Sequence, residues 1–129
     1  MHMQAAKSYR QTSQRDYIES ANPEQIIHFL LAQLKRELNR LKGCIEQNDL
    51  VARSDASTRA LMTVHLLGTS LDFEKGGAIA SNLFQLYEHI RLTVIKAGNE
   101  NDANVLKSAI SVAGDIEDAW KSLIDLSSN

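Results

Sequence analysis

The chain has 129 residues, of which 43 % are hydrophobic and 23 % are charged, values that fit one globular domain with a single core. A net charge of −2 without any basic cluster excludes the rows of phosphate contacts that nucleic-acid binding needs. Because Cys44 is the only cysteine and no apolar run approaches the roughly 20 residues of a membrane span, we expect a cytoplasmic protein without intrachain disulfides or membrane insertion.

Residues 1–21 form a polar segment in which Tyr9, Tyr17 and Ile18 are isolated. A segment with so little apolar surface has little to pack against a core. We therefore predict a mobile N-terminal arm over 1–21, followed by a folded domain over 22–126.

The motif Asn22-Pro23-Glu24-Gln25 is typical of a helix start. Asn22 can cap the helix, Pro23 suits its first position, and Gln25 completes a capping box. Apolar residues then recur with the spacing of a heptad seam: Ile27, Leu31, Leu34, Leu38, Leu41 and Ile45. The pattern predicts a first helix over about 23–47.

Similar spacing predicts a second and a third helix. The second covers about 50–71, and its apolar row consists of Ala60, Val64, Leu67 and Leu71. Its apolar face is broadened by Leu61, Met62 and Leu66. The third covers about 77–97, and its apolar row consists of Ile79, Leu83, Leu86, Ile90, Val94 and Ala97. We expect Gly98 to cap its end.

The fourth predicted helix, over about 102–126, carries two adjacent apolar rows. One row contains Val105, Ala109, Val112, Ile116, Ala119 and Leu123. The other contains Leu106, Ile110, Ala113, Trp120 and Ile124. A bundle core needs one stripe per helix, so the second row predicts a partner surface. Periodicity alone does not decide which row faces the core.

Four long helices with short links predict an all-α, antiparallel up-down four-helix bundle. A groove between two of its helices could hold a partner helix or an extended peptide.

The residues that could carry chemistry do not form a known catalytic or metal motif. A phosphate loop needs a preceding strand and a following Lys-Ser/Thr, and neither flanks Gly76-Gly77. Asp72 and Glu74 supply too few oxygen ligands for a calcium loop. Cys44 fits a small buried side chain better than a nucleophile. We therefore predict no enzyme activity, no metal and no cofactor.

The histidines also lack a catalytic or metal-binding pattern. Neither His28, His65 nor His89 has an acidic residue three positions earlier, as di-iron bundles require. A histidine phosphotransfer bundle remains an alternative, but the apolar neighbours of His28 and His65 leave no open surface around either ring. A structural subunit or adaptor of another helical assembly is a second alternative.

Several segments together resemble the flagellar secretion chaperone family, FliS. They are Tyr9 in "SYRQ", "ANPEQIIHFLL" (21–31), "SLDFEKGGAIASNLFQLYEHI" (70–90), "AGNENDANVL" (97–106) and "DAW" (118–120). The similarity covers almost the whole chain in order. Two positions depart from the family pattern: "AGN" at 97–99 stands where Ala-Asn is more usual, and His89 stands where an aromatic residue is common.

The resemblance implies an export chaperone without catalytic activity. Such a chaperone binds the disordered C-terminal segment of flagellin, prevents premature polymerisation and keeps the client competent for flagellar type III secretion. The resemblance also implies that the arm with Tyr9 docks on the bundle when no client is bound. The flagellar export gate and an anti-sigma factor are further candidate partners.

The candidate partner-binding residues are Tyr9, Leu61, Met62, Leu66, Leu106, Ile110, Ala113 and Trp120. For those in the helices, burial in the bundle core is the alternative role. The corner at 72–77 receives a structural role: Gly76 and Gly77 let the chain reverse between the second and third helices. Asp72 and Glu74 are expected to accept hydrogen bonds from free amides at the start of the third helix.

Overall fold

The computed structural model describes residues 22–127, which form four long helices and no strand. The helices are α1 (Pro23–Glu46), α2 (Leu50–Thr69), α3 (Phe73–Glu100) and α4 (Leu106–Ser127), and a 3₁₀ turn at Ala103–Val105 precedes α4. Helix α1 packs on α2 and α4, and α3 packs on the same two helices from the other side. Short links join successive helices, so the predicted all-α bundle is confirmed.

The start of α1 has the predicted capping box. Asn22 Oδ1 accepts a hydrogen bond from the Gln25 amide at 2.8 Å, and the Gln25 side-chain oxygen accepts one from the Asn22 amide at 3.3 Å. Two otherwise free amides are thereby satisfied. This reciprocal pair fixes the start of α1 directly after Asn22.

The end of α3 differs from the prediction. The helix continues through Gly98 to Glu100, and Asn101 instead adopts the left-handed conformation that ends it, with φ 52°. Asn tolerates this conformation better than most residues with a Cβ. The Asn101 Oδ1 atom also accepts a hydrogen bond from Arg53 at 2.8 Å, which holds the end of α3 against α2.

The corner between α2 and α3 also needs a correction. The chain reverses at Ser70–Asp72, and the two glycines lie inside the first turns of α3. Asp72 caps this helix by accepting a hydrogen bond from the Lys75 amide at 3.0 Å, as expected. Glu74 is exposed in the first turn and makes no such bond within the described residues.

Each glycine of this corner has its own physical reason. Gly77 has φ 48° and ψ −122°, a conformation that a residue with a Cβ rarely adopts, and it kinks α3. Gly76 has no positive φ, but a Cβ there would lie 2.9 Å from the Cβ of Ala80. The bend therefore needs Gly77 for its backbone and Gly76 for its space.

The core forms around a row of leucines on α1. Its buried residues are Leu31, Leu34, Leu38, Leu41 and Ile45 from α1; Ala56, Ala60, Val64 and Leu67 from α2; Tyr87, Ile90, Val94 and Ala97 from α3; and Leu106, Ala109, Ala113 and Ile116 from α4. The α1 row is the predicted one. On α4 the buried stripe takes two residues from each predicted row.

The core face of the first half of α3 was predicted wrongly. Ile79 is 72 % exposed and Leu86 is 37 % exposed, while Ala80 and Tyr87 are buried. Adjacent rows on this helix are both apolar, so periodicity alone does not choose between them, and packing selects the row through Ala80, Leu83 and Tyr87 that leads to Ile90. The consequence is an apolar surface on α3 that the sequence pattern assigned to the core.

We expect Gly77→Ala to destabilise the bundle and Gly98→Ala to stabilise it. The first change forces a Cβ into the backbone conformation at φ 48° and ψ −122°, which costs about 1–3 kcal/mol. The second adds a good helix former where no atom lies within 4 Å, which contributes about 0.5–1 kcal/mol. Urea unfolding of both variants measures the difference. Equal midpoints for the two would contradict the role assigned to Gly77.

Candidate partner-binding surface

The exposed apolar side chains lie mainly on α2 and α3, not on α4 as predicted. The large exposed ones are Leu50, Val51, Met62 and Leu66 on α2; Phe73, Ile79, Phe84, Leu86, Leu92 and Ile95 on α3; and Leu123 on α4. So much apolar surface on a small domain is typical of an interaction site. The predicted excess of apolar surface is therefore present, but it lies on α2 and α3 and not on α4.

The four α4 residues that were predicted to bind a partner differ in how far they are buried. Leu106 and Ala113 are fully buried and hold α4 to the core, so they offer no contact surface. Their assignment as binding residues is therefore corrected. Ile110 and Trp120 are half-buried beside the core, and Trp120 faces a groove.

The corner groove lies where the α2–α3 link meets the start of α1 and the C-terminal half of α4. It encloses about 470 Å³ and is lined by Glu24, Ile27, Ser70, Leu71, Asp72, Lys75, Gly76, Ile79, Ala80, Leu83, Tyr87 and Trp120. The Trp120 indole N–H donates a hydrogen bond to the Glu24 carbonyl at 2.8 Å. This bond joins α4 to the first turn of α1 and sets one wall of the groove.

Tyr87 separates the corner groove from a smaller cleft between α2 and α3. The cleft encloses about 190 Å³ and is lined by Val64, His65, Gly68, Thr69, Phe84, Tyr87, Glu88 and Arg91. Burial raises the pKa of Tyr87 to about 12, because the ionised phenolate would lose its hydration. The buried Tyr87 side chain lines both depressions.

Charges and aromatic rings border the α2–α3 cleft. Arg91 donates two hydrogen bonds to Glu88, at 3.0 and 2.8 Å, and this pairing lowers the pKa of Glu88. On the neighbouring surface, Phe73 and Phe84 pack edge to face with 6.1 Å between ring centres. The cleft thus presents apolar area beside a pair of charges that already satisfy each other.

The outer groove lies between α1 and α2, on another side of the bundle. It encloses about 390 Å³ and is lined by Gln33, Glu37, Asp55, Thr58, Arg59, Met62, Thr63 and Leu66. Met62 and Leu66 are 62 % and 51 % exposed, so two of the three α2 residues predicted for binding are accessible. Leu61 is half-buried and packs against the core.

Other predicted features can be placed only within the described residues. Tyr9 lies outside them. Within 22–127, no three His, Cys, Asp or Glu side chains are arranged to hold a metal ion. No helix in that range combines the length and apolar character of a membrane span.

The sequence interpretation missed the apolar residues of α3 that face solvent. Ile79 and Leu86 were assigned to the core, and Phe73 and Phe84 were not singled out. A signal was available, because Phe84 lies off the predicted α3 seam and Phe73 precedes the predicted start of the helix. An aromatic residue off the seam has no core position and needs a surface role.

Comparison with known proteins gives the same family over nearly the whole chain. A family model described as "Flagellar protein FliS" matches residues 5–127. The chain is 34 % identical over 118 residues to the "Flagellar secretion chaperone FliS" of Salmonella typhimurium, covering 91 % of this chain and 87 % of that one. It is 27 % identical to the "Flagellar secretion chaperone FliSB" of Pseudomonas aeruginosa, covering 92 % and 94 %. It is 28 % identical to the protein named FliS in Vibrio cholerae, covering 88 % and 84 %.

The raised pKa of Tyr87 predicts a loss of stability at alkaline pH. Below pH 10 the phenol is protonated in both the folded and the unfolded chain, so it adds no pH dependence. Between pH 10 and about 12 the phenol ionises in the unfolded chain but not in the folded one. This difference lowers the free energy of unfolding by about 1 kcal/mol at pH 11. We expect the unfolding free energy to fall more steeply over this range in the wild type than in Tyr87→Phe. Parallel slopes in the two proteins, measured by urea titration, would show that Tyr87 is not desolvated.

Proposed function

Because the chain belongs to the FliS family of flagellar proteins, we propose that it is a flagellar export chaperone that acts in the cytoplasm without catalysis. Its client would be flagellin, bound through the disordered C-terminal segment. Family membership carries this proposal, and the apolar grooves on α2 and α3 support it, because an isolated bundle has no need of them.

The physics of such a client suits these grooves. A disordered segment that folds on binding loses conformational entropy, so its affinity depends on a large apolar contact. The corner groove, the α2–α3 cleft and the outer groove together offer apolar area on several sides of the bundle. A segment that wraps around the bundle could use all of them. Covering its apolar side chains would prevent flagellin from polymerising before export.

We further propose that the arm over 1–21 covers the corner groove when no client is bound. The described chain begins at Asn22, and Glu24, two residues later, lines this groove. A tethered segment reaches a neighbouring groove at high effective concentration. Tyr9 is the aromatic side chain that we expect to occupy it, and flagellin would displace it through a larger contact.

One argument against a histidine phosphotransfer bundle, the enclosure of His65 by apolar neighbours, does not hold, but this function is still disfavoured. His65 is exposed beside the α2–α3 cleft, contrary to the expectation that apolar neighbours enclose it. His28 is half-buried, and His89 is within 3.2 Å of Ser108 Oγ across α3 and α4. Exposure alone gives no phosphotransfer site, and the family membership favours the chaperone.

We expect full-length flagellin to form a stable complex with the chain, and flagellin without its C-terminal segment to bind much more weakly. The reason is that the apolar grooves need a segment that can fold onto them. Isothermal titration calorimetry with both forms measures the difference. Ile79→Ser should also weaken binding because Ile79 lines the corner groove, whereas Gln85→Ser, at an exposed polar position outside that groove on the same helix, serves as the control.

Equal binding by the two flagellin forms would place the contact elsewhere on flagellin. Lack of binding by full-length flagellin would contradict the proposed function itself.

Removal of residues 1–15 should leave the melting temperature within a few degrees and increase the binding of a hydrophobic dye. The arm is expected to cover apolar surface without forming part of the core, and a groove left open binds the dye. Thermal unfolding and dye fluorescence of the truncated and full-length chains test this together. If truncation unfolds the bundle, the arm is core structure and its covering role is wrong.

A further inference from the structure

A chain of polar groups runs along the floor of the outer groove. The Gln33 side-chain amide donates hydrogen bonds to Glu37 Oε1 at 3.0 Å and to Thr63 Oγ1 at 3.4 Å. The second carboxylate oxygen of Glu37, Oε2, is buried and has no hydrogen-bond donor within the described residues. A buried carboxylate oxygen without a donor is unfavourable, and a native structure that retains one has a reason for it.

Two cationic side chains, one a helical turn further along α1 and one across the groove on α2, do not supply that donor. Arg40 lies one helical turn from Glu37 on α1, and Arg59 lines the same groove from α2. Both instead bind Asp55, with N–O distances of 3.0 and 3.1 Å. Asp55 thus receives two guanidinium groups while Glu37, in the same groove, receives none.

The row of exposed side chains on α2 that borders the outer groove favours a helix as its occupant. Along the outer face of α2, the row Val51, Asp55, Thr58, Met62 and Leu66 follows helical spacing and is exposed throughout. The row is apolar at both ends and polar at its centre, which complements an amphipathic helix with a polar position near its middle. From Val51 to Leu66 it extends roughly 22 Å at the rise of an α-helix.

We propose that the outer groove binds an amphipathic helix of the client segment that carries a Lys or Arg, and that Glu37 Oε2 accepts a hydrogen bond from this cation. The inference rests on the proposed function and adds a specificity residue to it. Met62 and Leu66 supply apolar contact on the rim, and Glu37 selects one register of the bound helix. A charge-assisted hydrogen bond in a part-buried site is stronger than a neutral one and distinguishes partners that lack the cation.

The client is favoured over the arm at 1–21 as the source of the cation. Glu37 lies roughly four turns along α1 from Asn22, about 22 Å away along the helix. An arm that occupies the corner groove at the start of α1 leaves the outer groove open. The arm contains Lys7, Arg10 and Arg15, so its own cations form an explicit alternative outcome of the test.

The test compares Glu37→Gln with Glu46→Gln, the same change on an exposed glutamate of the same helix. Binding of full-length flagellin is measured by calorimetry, and the melting temperature of each free chain is measured alongside. We expect Glu37→Gln to weaken flagellin binding about tenfold, as loss of a charge-assisted hydrogen bond implies. Its melting temperature should equal or exceed that of the wild type, because a half-buried carboxylate that has one oxygen without a donor is replaced by a neutral amide. Glu46→Gln should change neither value.

A second arm of the experiment leaves the chaperone intact. Each Lys and Arg of the flagellin C-terminal segment is replaced singly by Met, and each variant is titrated against the wild type and Glu37→Gln. One cation should matter for binding to the wild type and not for binding to Glu37→Gln, since paired residues show non-additive effects.

Three results would overturn the proposal while flagellin still binds the wild type. They are unchanged affinity of Glu37→Gln, the absence of any coupled cation, and a loss of affinity accompanied by a lower melting temperature. A gain of affinity in Glu37→Gln would also overturn it, because it would assign Glu37 to the chain's own arm. Failure of the wild type to bind flagellin at all would instead reject the proposed function.

Discussion

Leu31, Leu34, Leu38 and Leu41 of α1 are fully buried, and every other helix is placed by contact with this row or with a helix that contacts it. The facing helices meet the row with many small residues, among them Ala56 and Ala60 on α2 and Ala109 and Ala113 on α4. Small residues let the helices approach closely and fill the space at the density of a protein interior. The core thus depends on one helix rich in large side chains and on neighbours that leave room for them.

This division explains why the molecule has apolar surface to spare. Since α1 supplies more of the large core side chains than any other described helix, several large apolar residues of α2 and α3 have no place inside and lie at the surface instead. The corner groove depends further on two local features, the bend at Gly76-Gly77 and the hydrogen bond from Trp120 to Glu24. Together they place the start of α3, the start of α1 and the second half of α4 around one depression.

The sequence pattern predicted the parts of the fold that follow from local chemistry. The capping box at Asn22 and the leucine row of α1 were found because a strong cap and a single apolar row leave one solution. The choice between adjacent apolar rows on α3 and α4 depended on tertiary packing. Ile79 and Leu86 were therefore wrongly assigned to the core, and Leu106 and Ala113 were wrongly assigned to the binding surface. The corner was misplaced by a few residues, because Asp72 starts a helical turn that Gly77 then bends.

The candidate site was harder to predict than the fold for a related reason. Met62 and Leu66 were identified because they widened an apolar face, and this argument uses spacing alone. Glu37 gives no such signal, since a glutamate three positions before Arg40 on a helix predicts an ordinary surface ion pair. Only the three-dimensional arrangement shows that Asp55 binds Arg40 and Arg59 and leaves one oxygen of Glu37 buried without a donor.

An unsatisfied buried oxygen lowers the stability of the free chain, and a set of exposed apolar residues makes that chain prone to association. A partner that covers the apolar residues and supplies the missing donor would relieve both effects in one binding event. Apolar contact of this kind gives affinity with little dependence on register, because neighbouring apolar residues of an amphipathic helix can replace one another in a groove. A single charge at a fixed depth accepts only one of those registers. The combination of Met62, Leu66 and Glu37 in the outer groove therefore suits a client that must be held in one arrangement.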